Sequence, residues 1–353
     1  MSEEAHIPNR DKHLTYFKVE NFKRFESFEM ENIGQFNLIV GDNNVGKTSV
    51  LEALLVEPYA AKFYNELLYC LERGRNIDVQ MKTSILDFYQ NKSGENNLLN
   101  TKLPMIFNSH YIGGEWEKVS IYIGFQSYPE FKAEFSNNNP INEGRPDYKY
   151  AEQIQYVSRL IFTSNIYSSS VSNIFSEQIY RSNSKKQVFI NTLKILMPDI
   201  SDIYPDSFQT SSKILYVRQS SRMDSAIPMQ LIGDGSVKLL NYLIYITFFS
   251  HFKSRIMIDE MDSGIHYSRL KDFWKTILHS AMQNDVQLFM TTHSEECIKY
   301  YKMALEELGE EYRDQARIIE LNELTDKSIK SITHTYHDFA RSIELENEIR
   351  GGY

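Results

Sequence analysis

One stretch of the chain, residues 36–51, constrains the fold more than any other. An apolar run gives way there to a short loop bracketed by Gly41 and Gly46, and an amphipathic run follows the loop. The loop has the spacing G-x-x-x-x-G-K-T, with Lys47 and Thr48 directly after the second glycine. This order predicts a buried strand, a tight loop and a helix.

The glycine-bracketed loop is typical of a phosphate-binding site. Glycine lets the backbone turn its N–H groups toward one anion, and the start of a helix adds further N–H groups. We expect Lys47 to reach the β- and γ-phosphates of a nucleotide and the Thr48 hydroxyl to bind a magnesium ion. The alternative is a chance glycine-rich turn, but the flanking strand and helix argue against it. The predicted nucleotide-binding residues are Gly41, Asp42, Asn43, Asn44, Val45, Gly46, Lys47, Thr48 and Ser49.

Composition limits the classes of protein to consider. The chain has 353 residues, 42% of them hydrophobic, which is enough for one large domain or two moderate ones with a packed core. A net charge of -9 leaves DNA binding possible but unsupported. Cys70 and Cys297 lie far apart and in no metal-ligand spacing. No apolar stretch is long enough to span a bilayer, so we expect a cytoplasmic protein with no membrane partner.

The order of predicted elements indicates an α/β fold. The N-terminal strands Leu14–Glu20 and Phe25–Met30 are predicted to form an antiparallel β-layer. The loop and its helix follow, and a further helix is predicted over 62–73. The last third alternates helices and strands, which predicts a mostly parallel core sheet joined by crossover helices. The expected elements there are helix 236–249, strand 255–258, helix 267–282, strand 286–290, helix 295–308 and strands 317–321 and 328–334.

The middle of the chain has a different pattern. Polar loops surround strand-like runs up to about residue 146, and helical periodicity follows, most clearly over 186–197. We therefore predict three parts: residues 1–75 and 213–353 form the core, and residues 76–212 form an inserted, mostly helical lobe.

Two carboxylates end a predicted core strand. Arg255–Ile258 runs directly into Asp259 and Glu260. Ligands of parallel sheets bind beyond the carboxyl ends of the strands, so both acids are expected beside the phosphate loop. Asp259 is placed to hold magnesium opposite Thr48, and Glu260 to polarise the water that attacks a γ-phosphate. The alternative is a strand that merely ends in solvated acids.

Two further segments carry candidate site residues. His293 follows the predicted strand 286–290, and an imidazole at that strand end can contact a γ-phosphate; a surface histidine is the alternative. Gly233, Asp234, Gly235 and Ser236 open a second helix that offers N–H groups to an anion. One nucleotide cannot easily use both helix starts and both acids within one chain, whereas a dimer could.

These four segments, in this order, resemble the ATP-binding-cassette P-loop ATPases of the SMC, RecF and Rad50 type, especially the compact members similar to the overcoming-lysogenisation-defect (OLD) proteins. By that resemblance Gly41–Thr48 is the Walker A loop and Ile258–Glu260 the end of Walker B. Ile232–Ser236 falls at the signature loop, Met261–His266 at the D-loop and His293 at the switch histidine. The resemblance implies ATP and Mg²⁺ as cofactors, with Lys47, Glu260 and His293 as catalytic residues.

In this class two subunits bind two ATP molecules between them, and each site combines the Walker motifs of one chain with the signature of the other. The resemblance therefore implies a homodimer or higher homo-oligomer. This chain has Gly233 where serine is usual and Ser236 where glutamine or glutamate is usual. That departure implies slow turnover or the need for a partner.

The resemblance leaves three functions open. Standalone chains of this kind are similar to the ATPase components of two-gene phage-defence systems of the PARIS and Septu types, which implies a separately encoded effector nuclease as partner. The second possibility is a RecF-like DNA-repair ATPase, and the third is an assembly scaffold that binds ATP with little hydrolysis. A GTPase is disfavoured, because Asn91-Lys92-Ser93-Gly94 lacks the aspartate that reads guanine.

Overall fold

The computed structural model describes residues 13–56, 63, 66, 67, 70, 105–111, 116–125, 129–137, 156–161, 169–206, 213–222, 226–248 and 253–345. Its strands are β1 Leu14–Phe22, β2 Phe25–Met30, β3 Phe36–Gly41, β4 Met105–Tyr111, β5 Trp116–Phe125, β6 Pro129–Asn137, β7 Tyr156–Ile161, β8 Ile200–Asp206, β9 Ile214–Gln219, β10 Ala226–Pro228, β11 Lys253–Ile258, β12 Gln287–Thr291, β13 Ala316–Glu323 and β14 Ile329–Thr335. Its α-helices are α1 Lys47–Ala53, α2 Ser169–Ile174, α3 Asn183–Leu193, α4 Asp234–Phe248, α5 Tyr267–Asn284, α6 Glu295–Leu308, α7 Glu310–Gln315 and α8 Tyr336–Glu344, and a π-helix, Phe175–Tyr180, joins α2 to α3.

The core is a six-stranded sheet in the order β14-β13-β3-β12-β11-β7. Every neighbouring pair is parallel except β13 and β14. The predicted α/β fold with a mostly parallel core sheet is therefore confirmed. The strand before the glycine loop, β3, is buried along its whole length between β13 and β12. β12 separates β3 from β11, so the two acids after β11 reach the loop across one intervening strand.

A second sheet of five antiparallel strands has the order β2-β1-β4-β5-β6. It contains the predicted N-terminal β-layer, and the described strands of the middle segment extend that layer, since β4 pairs with β1. β7 instead pairs with β11 in the core sheet, and β8 pairs with β9 on the far side of residue 212. Described strands of the middle segment therefore pair with strands that precede and follow it in the chain. The division at residues 75/76 and 212/213 stays a prediction.

Two hydrophobic cores lie on opposite faces of the central sheet. Side chains alternate along a strand, so Ile39 of β3 packs with the antiparallel sheet and α1, whereas Leu38 and Val40 pack with the helices on the other face. That helical face holds α4, α5 and α6 and the small sheet β10-β9-β8. The glycine loop therefore lies between an antiparallel layer and a helical layer.

Several predicted bounds change. The sequence pattern predicts a helix over 49–59 and a strand over 227–231. In the structure that helix begins at Lys47 and ends at Ala53, and Leu231 belongs to a 3-10 turn after β10. The predicted helix 62–73 and the end of the last helix fall largely outside the described residues. Among the described helices, none combines the length and apolarity needed to cross a membrane.

Candidate nucleotide-binding site

The loop after β3 has a backbone that only glycine fits. Gly41 has φ 145°, and a Cβ there would lie 2.7 Å from the Leu321 carbonyl oxygen on β13. Gly46 has φ 114°, and a Cβ there would lie 3.1 Å from the Phe25 ring. The glycine spacing in the sequence therefore reflects a loop held tightly between β13 and the antiparallel layer.

Lys47 is buried and folds back over this loop. Its ammonium donates to the carbonyl oxygens of Gly41, at 2.6 Å, and of Asp42, at 2.8 Å. Burial lowers the Lys47 pKa to about 8, although the charges of Asp259, Asp42 and Glu260 oppose that shift. A cation of this kind, enclosed by the loop, is placed to meet the phosphates of a nucleotide.

The structure brings the two predicted magnesium ligands together. The Thr48 hydroxyl donates to Oδ2 of Asp259 at 3.0 Å, although these residues are far apart in sequence. Oxygen donors suit magnesium, which usually takes one or two protein ligands and completes its shell with phosphate and water oxygens. The described residues contain no cluster of three or more histidine, cysteine, aspartate or glutamate side chains for a metal. Thr48 and Asp259 therefore fit a nucleotide-bound Mg²⁺ rather than an all-protein metal site.

A buried threonine, Thr291 at the end of β12, organises the two acids. Its hydroxyl donates to Oδ1 of Asp259 at 2.7 Å and accepts the Glu260 backbone N–H at 2.8 Å. Glu260 itself has φ 48°, a left-handed conformation that a non-glycine residue rarely adopts. Thr291 thus fixes both Asp259 and the backbone turn at Glu260. The sequence signal for it is only a polar residue at a strand end.

His293 lies close to the same groups. Partial desolvation lowers its pKa and the Lys47 charge lowers it further, while Glu260, Asp259 and Asp262 act in the opposite sense. The neighbouring Thr292 donates to Oδ1 of Asp262 at 2.7 Å. The imidazole therefore lies within electrostatic reach of the loop lysine and the two acids, and Thr292 fixes the chain beside it.

The second glycine-containing helix start opens α4 and packs on a different loop from the phosphate loop. Gly233 has φ 96° and Leu231, just before it, is 73% exposed. A Cβ at Gly235 would lie 3.7 Å from the Gly264 carbonyl oxygen, so this segment packs on the loop after Glu260. Within the described part of the chain, no hydrogen bond joins residues 233–236 to residues 41–49.

Arg24 is a site residue that sequence reasoning missed, because the sequence marks it only as part of a turn. Its guanidinium donates to the Asn44 carbonyl in the glycine loop and pairs with Glu323 on β13. It thereby ties the antiparallel layer, the loop and the core sheet together. No local pattern marks such a contact, because its partners lie far away in the sequence.

The fold is similar to that of the head domains of SMC proteins. The SMC head bound to the C-terminal winged-helix domain of ScpA superposes with a TM-score of 0.58 at 12% identity, covering 92% of this chain and 98% of that one. The SMC head domain of Thermotoga maritima gives a TM-score of 0.52 at 10% identity and covers 91% of this chain and 99% of that one. At these identities the likeness concerns the fold.

Sequence relatives point the same way. Residues 130–299 match the family described as "AAA domain, putative AbiEii toxin, Type IV TA system". An ATP/GTP phosphatase of Helicobacter pylori is 22% identical over 94% of this chain and 97% of its own length. The DNA replication and repair protein RecF of Xanthomonas oryzae is 39% identical, but over only 14% of each chain. Together with the fold, these relatives support an ATPase of the SMC/RecF type.

Proposed function

We propose that this chain is a magnesium-dependent ATPase that binds ATP between two protomers and acts as a conformational switch. The single observation that carries this proposal is the contact between Thr48 and Asp259 beside the enclosed Lys47. A glycine loop alone is a common turn, whereas here Lys47 and Thr48 at the start of α1 meet Asp259, which follows β11.

Each side chain has a role in this proposal. Lys47 leaves its loop carbonyls to bind the β- and γ-phosphates, and Thr48 and Asp259 hold Mg²⁺, which neutralises phosphate charge when it is bound. Glu260 orients the attacking water, and His293 contacts the γ-phosphate and reports its presence. All of these residues belong to one chain. Each protomer therefore supplies nearly all of one half of a proposed ATP site.

The other half is proposed to come from a second copy. Gly233, Asp234, Gly235 and Ser236 open α4, which packs on the loop after Glu260, and Leu231 beside them is largely exposed. A single exposed leucine is normal on a protein surface, so the proposal rests on the glycine-containing helix start, which offers backbone N–H groups to an anion. When this segment docks on the nucleotide of a partner, each of the two ATP molecules contacts the Walker motifs of one chain and the signature loop of the other.

The experiment that tests hydrolysis and dimerisation together compares wild type with Glu260→Gln. We expect phosphate release to fall at least about 100-fold, because a general base contributes that much or more. The variant should keep binding ATP with Mg²⁺ and accumulate as an ATP-bound dimer in analytical ultracentrifugation. Equal phosphate release by both proteins would leave Glu260 without a catalytic role and favour the ATP-binding scaffold.

The proposed biological role is to hold or release a separately encoded effector nuclease in anti-phage defence. The support for this role is the matched family, whose description names a putative toxin of a type IV toxin–antitoxin system. Affinity purification from infected and uninfected cells tests this: an accompanying nuclease that leaves or joins on infection is the expected result. Purification without any nuclease in both conditions would contradict the role.

A RecF-like repair function is the second candidate, favoured by the local similarity to RecF. It predicts salt-sensitive binding to DNA ends or gaps, since phosphate contacts release counterions. Fluorescence anisotropy with gapped and intact duplexes at two salt concentrations separates the two roles. Tight, salt-sensitive binding to gapped DNA would favour repair over defence.

A further inference from the structure

The helix that follows the signature segment, α4, contacts the loop Met261–His266 through a buried lysine. Lys238 is only 4% exposed, and its ammonium donates to the Ser263 carbonyl oxygen. A Cβ at Gly264 would lie 3.4 Å from the same nitrogen. The first turn of α4 packs on this loop as well, since a Cβ at Gly235 would be 3.8 Å from Ile265 Cγ1.

This loop is also bound to the proposed catalytic groups. The Ser263 N–H donates to the Glu260 carbonyl oxygen at 3.0 Å, so the turn that Lys238 holds begins at Glu260 itself. On its other side the loop is fixed to β12, because Asp262 accepts the Thr292 hydroxyl. A movement of α4 that shifted Ser263 would therefore reach Glu260 through one hydrogen-bonded turn.

Keeping an ammonium in this position is costly. Burial lowers the Lys238 pKa, while the negative charges of Asp234, Asp262 and Glu260 act to keep it protonated. An apolar side chain of similar length would fill the same space without that desolvation cost. A methionine at position 238 could not donate the hydrogen bond to the loop carbonyl oxygen.

We propose that Lys238 is a positioning residue that couples the two ATP sites of the dimer. The inference rests on the ATP sandwich proposed above. In that dimer the start of α4 faces the nucleotide held by the partner, while Lys238 holds the loop that follows Glu260 of its own site. Occupation of one site is thus transmitted to the catalytic glutamate of the other, and the coupling acts in both directions for binding.

The test uses the full chain with Mg²⁺ and compares wild type with Lys238→Met and Lys238→Arg. Phosphate release is measured against ATP concentration, and two coupled sites give a Hill coefficient between about 1 and 2. We expect wild type to lie clearly above 1. Lys238→Met should fall to about 1 and lose about tenfold in maximal rate, the effect of one hydrogen bond from a charged group. Lys238→Arg should recover a Hill coefficient above 1.

Matched measurements separate coupling from a structural effect. Lys302→Met removes another largely buried lysine, one that pairs with Glu306 and Glu344 on the surface of α6 and α8, and should leave both rate and Hill coefficient unchanged. Hydrogen exchange of residues 261–266 without nucleotide should rise in Lys238→Met and return in Lys238→Arg. If Lys238→Met does not fold, Lys238→Gln, which keeps a shorter donor, is expected to show the same lower rate and a Hill coefficient of about 1.

Three results would overturn the inference. A wild type that dimerises and hydrolyses ATP with a Hill coefficient of 1 has no coupling to lose. A folded Lys238→Met or Lys238→Gln that keeps both the rate and the Hill coefficient of wild type removes the lysine from the coupling, and the proposed ATPase stands in both cases. A wild type that neither dimerises nor hydrolyses ATP removes the proposed function and this inference together.

Discussion

The two glycine-containing helix starts of this chain differ in what surrounds them. The first, after β3, is enclosed by β13, the antiparallel layer and the side chains of Lys47 and Asp259. At the second, residues 233–236, a Cβ added to Gly233 would meet no atom of the described residues within 4 Å, and Leu231 is largely exposed. The first is enclosed by the chain itself, whereas the second is an exposed surface that we propose a second protomer covers.

Both segments have two glycines, so glycine content alone does not separate them. What separates them is the topology: β3 lies in the middle of the sheet and delivers its loop to the carboxyl edge where β11 and β12 also end. The segment before α4 follows a short edge strand, β10, of the small sheet. The following predictions test the contrast between an enclosed half-site and an exposed one.

The largest effect is expected at the enclosed half. Lys47→Ala removes the buried cation, and each lost hydrogen bond to a charged phosphate is worth about 1.5–3 kcal/mol. Two such bonds correspond to a loss of at least about 100-fold in ATP affinity, measured by isothermal titration calorimetry. The variant should also fail to dimerise with ATP. A dimer that forms equally well in Lys47→Ala without nucleotide would contradict the sandwich.

The next effect tests the exposed half. Leu231→Glu places a charge where an apolar side chain is proposed to be buried by the partner, and burying one leucine is worth about 1.5–3 kcal/mol. Since the dimer buries two copies, the dissociation constant of the ATP-bound dimer should rise at least about 100-fold in ultracentrifugation. ATP binding by the monomer should be retained, because Leu231 belongs to the exposed turn after β10 and not to the enclosed loop.

Leu345→Glu is the matched control, since Leu345 is 61% exposed just after α8. This variant should dimerise as wild type does. Equal weakening by both substitutions would mean that added negative charge, rather than the position beside the signature segment, opposes association.

Within the enclosed half, His293→Ala should separate binding from chemistry. The imidazole is proposed to contact the γ-phosphate mainly in the transition state, so its loss should slow phosphate release by about tenfold, the value of one such hydrogen bond. The affinity for ATP should change little. Full activity in His293→Ala would remove the sensor assignment.

The same contrast shows which features of the fold and the site could be predicted from the sequence alone. The G-x-x-x-x-G-K-T spacing and the strand ending in Asp259 and Glu260 specify local shapes, and from them the strand-loop-helix unit and the α/β fold could be predicted. Pairing between distant strands could not: β4 adds to β1 and β7 to β11, and each choice depends on which edge is free in three dimensions. Thr291, Arg24 and Lys238 were missed for the same reason, because their partners lie on other elements.

The smallest expected effect concerns Thr291, whose hydroxyl holds Asp259 and the Glu260 backbone. Thr291→Val keeps the shape of this fully buried side chain but leaves two polar partners without their bond, which costs about 1–3 kcal/mol of stability. Phosphate release should fall a few-fold, because the turn at Glu260 is less well fixed. Thr276→Val is the control, since this fully buried threonine donates to the Asp272 carbonyl of its own helix. If Thr276→Val slowed phosphate release as much as Thr291→Val, Thr291 would act through stability alone. The enclosed half-site would then consist only of its charged groups.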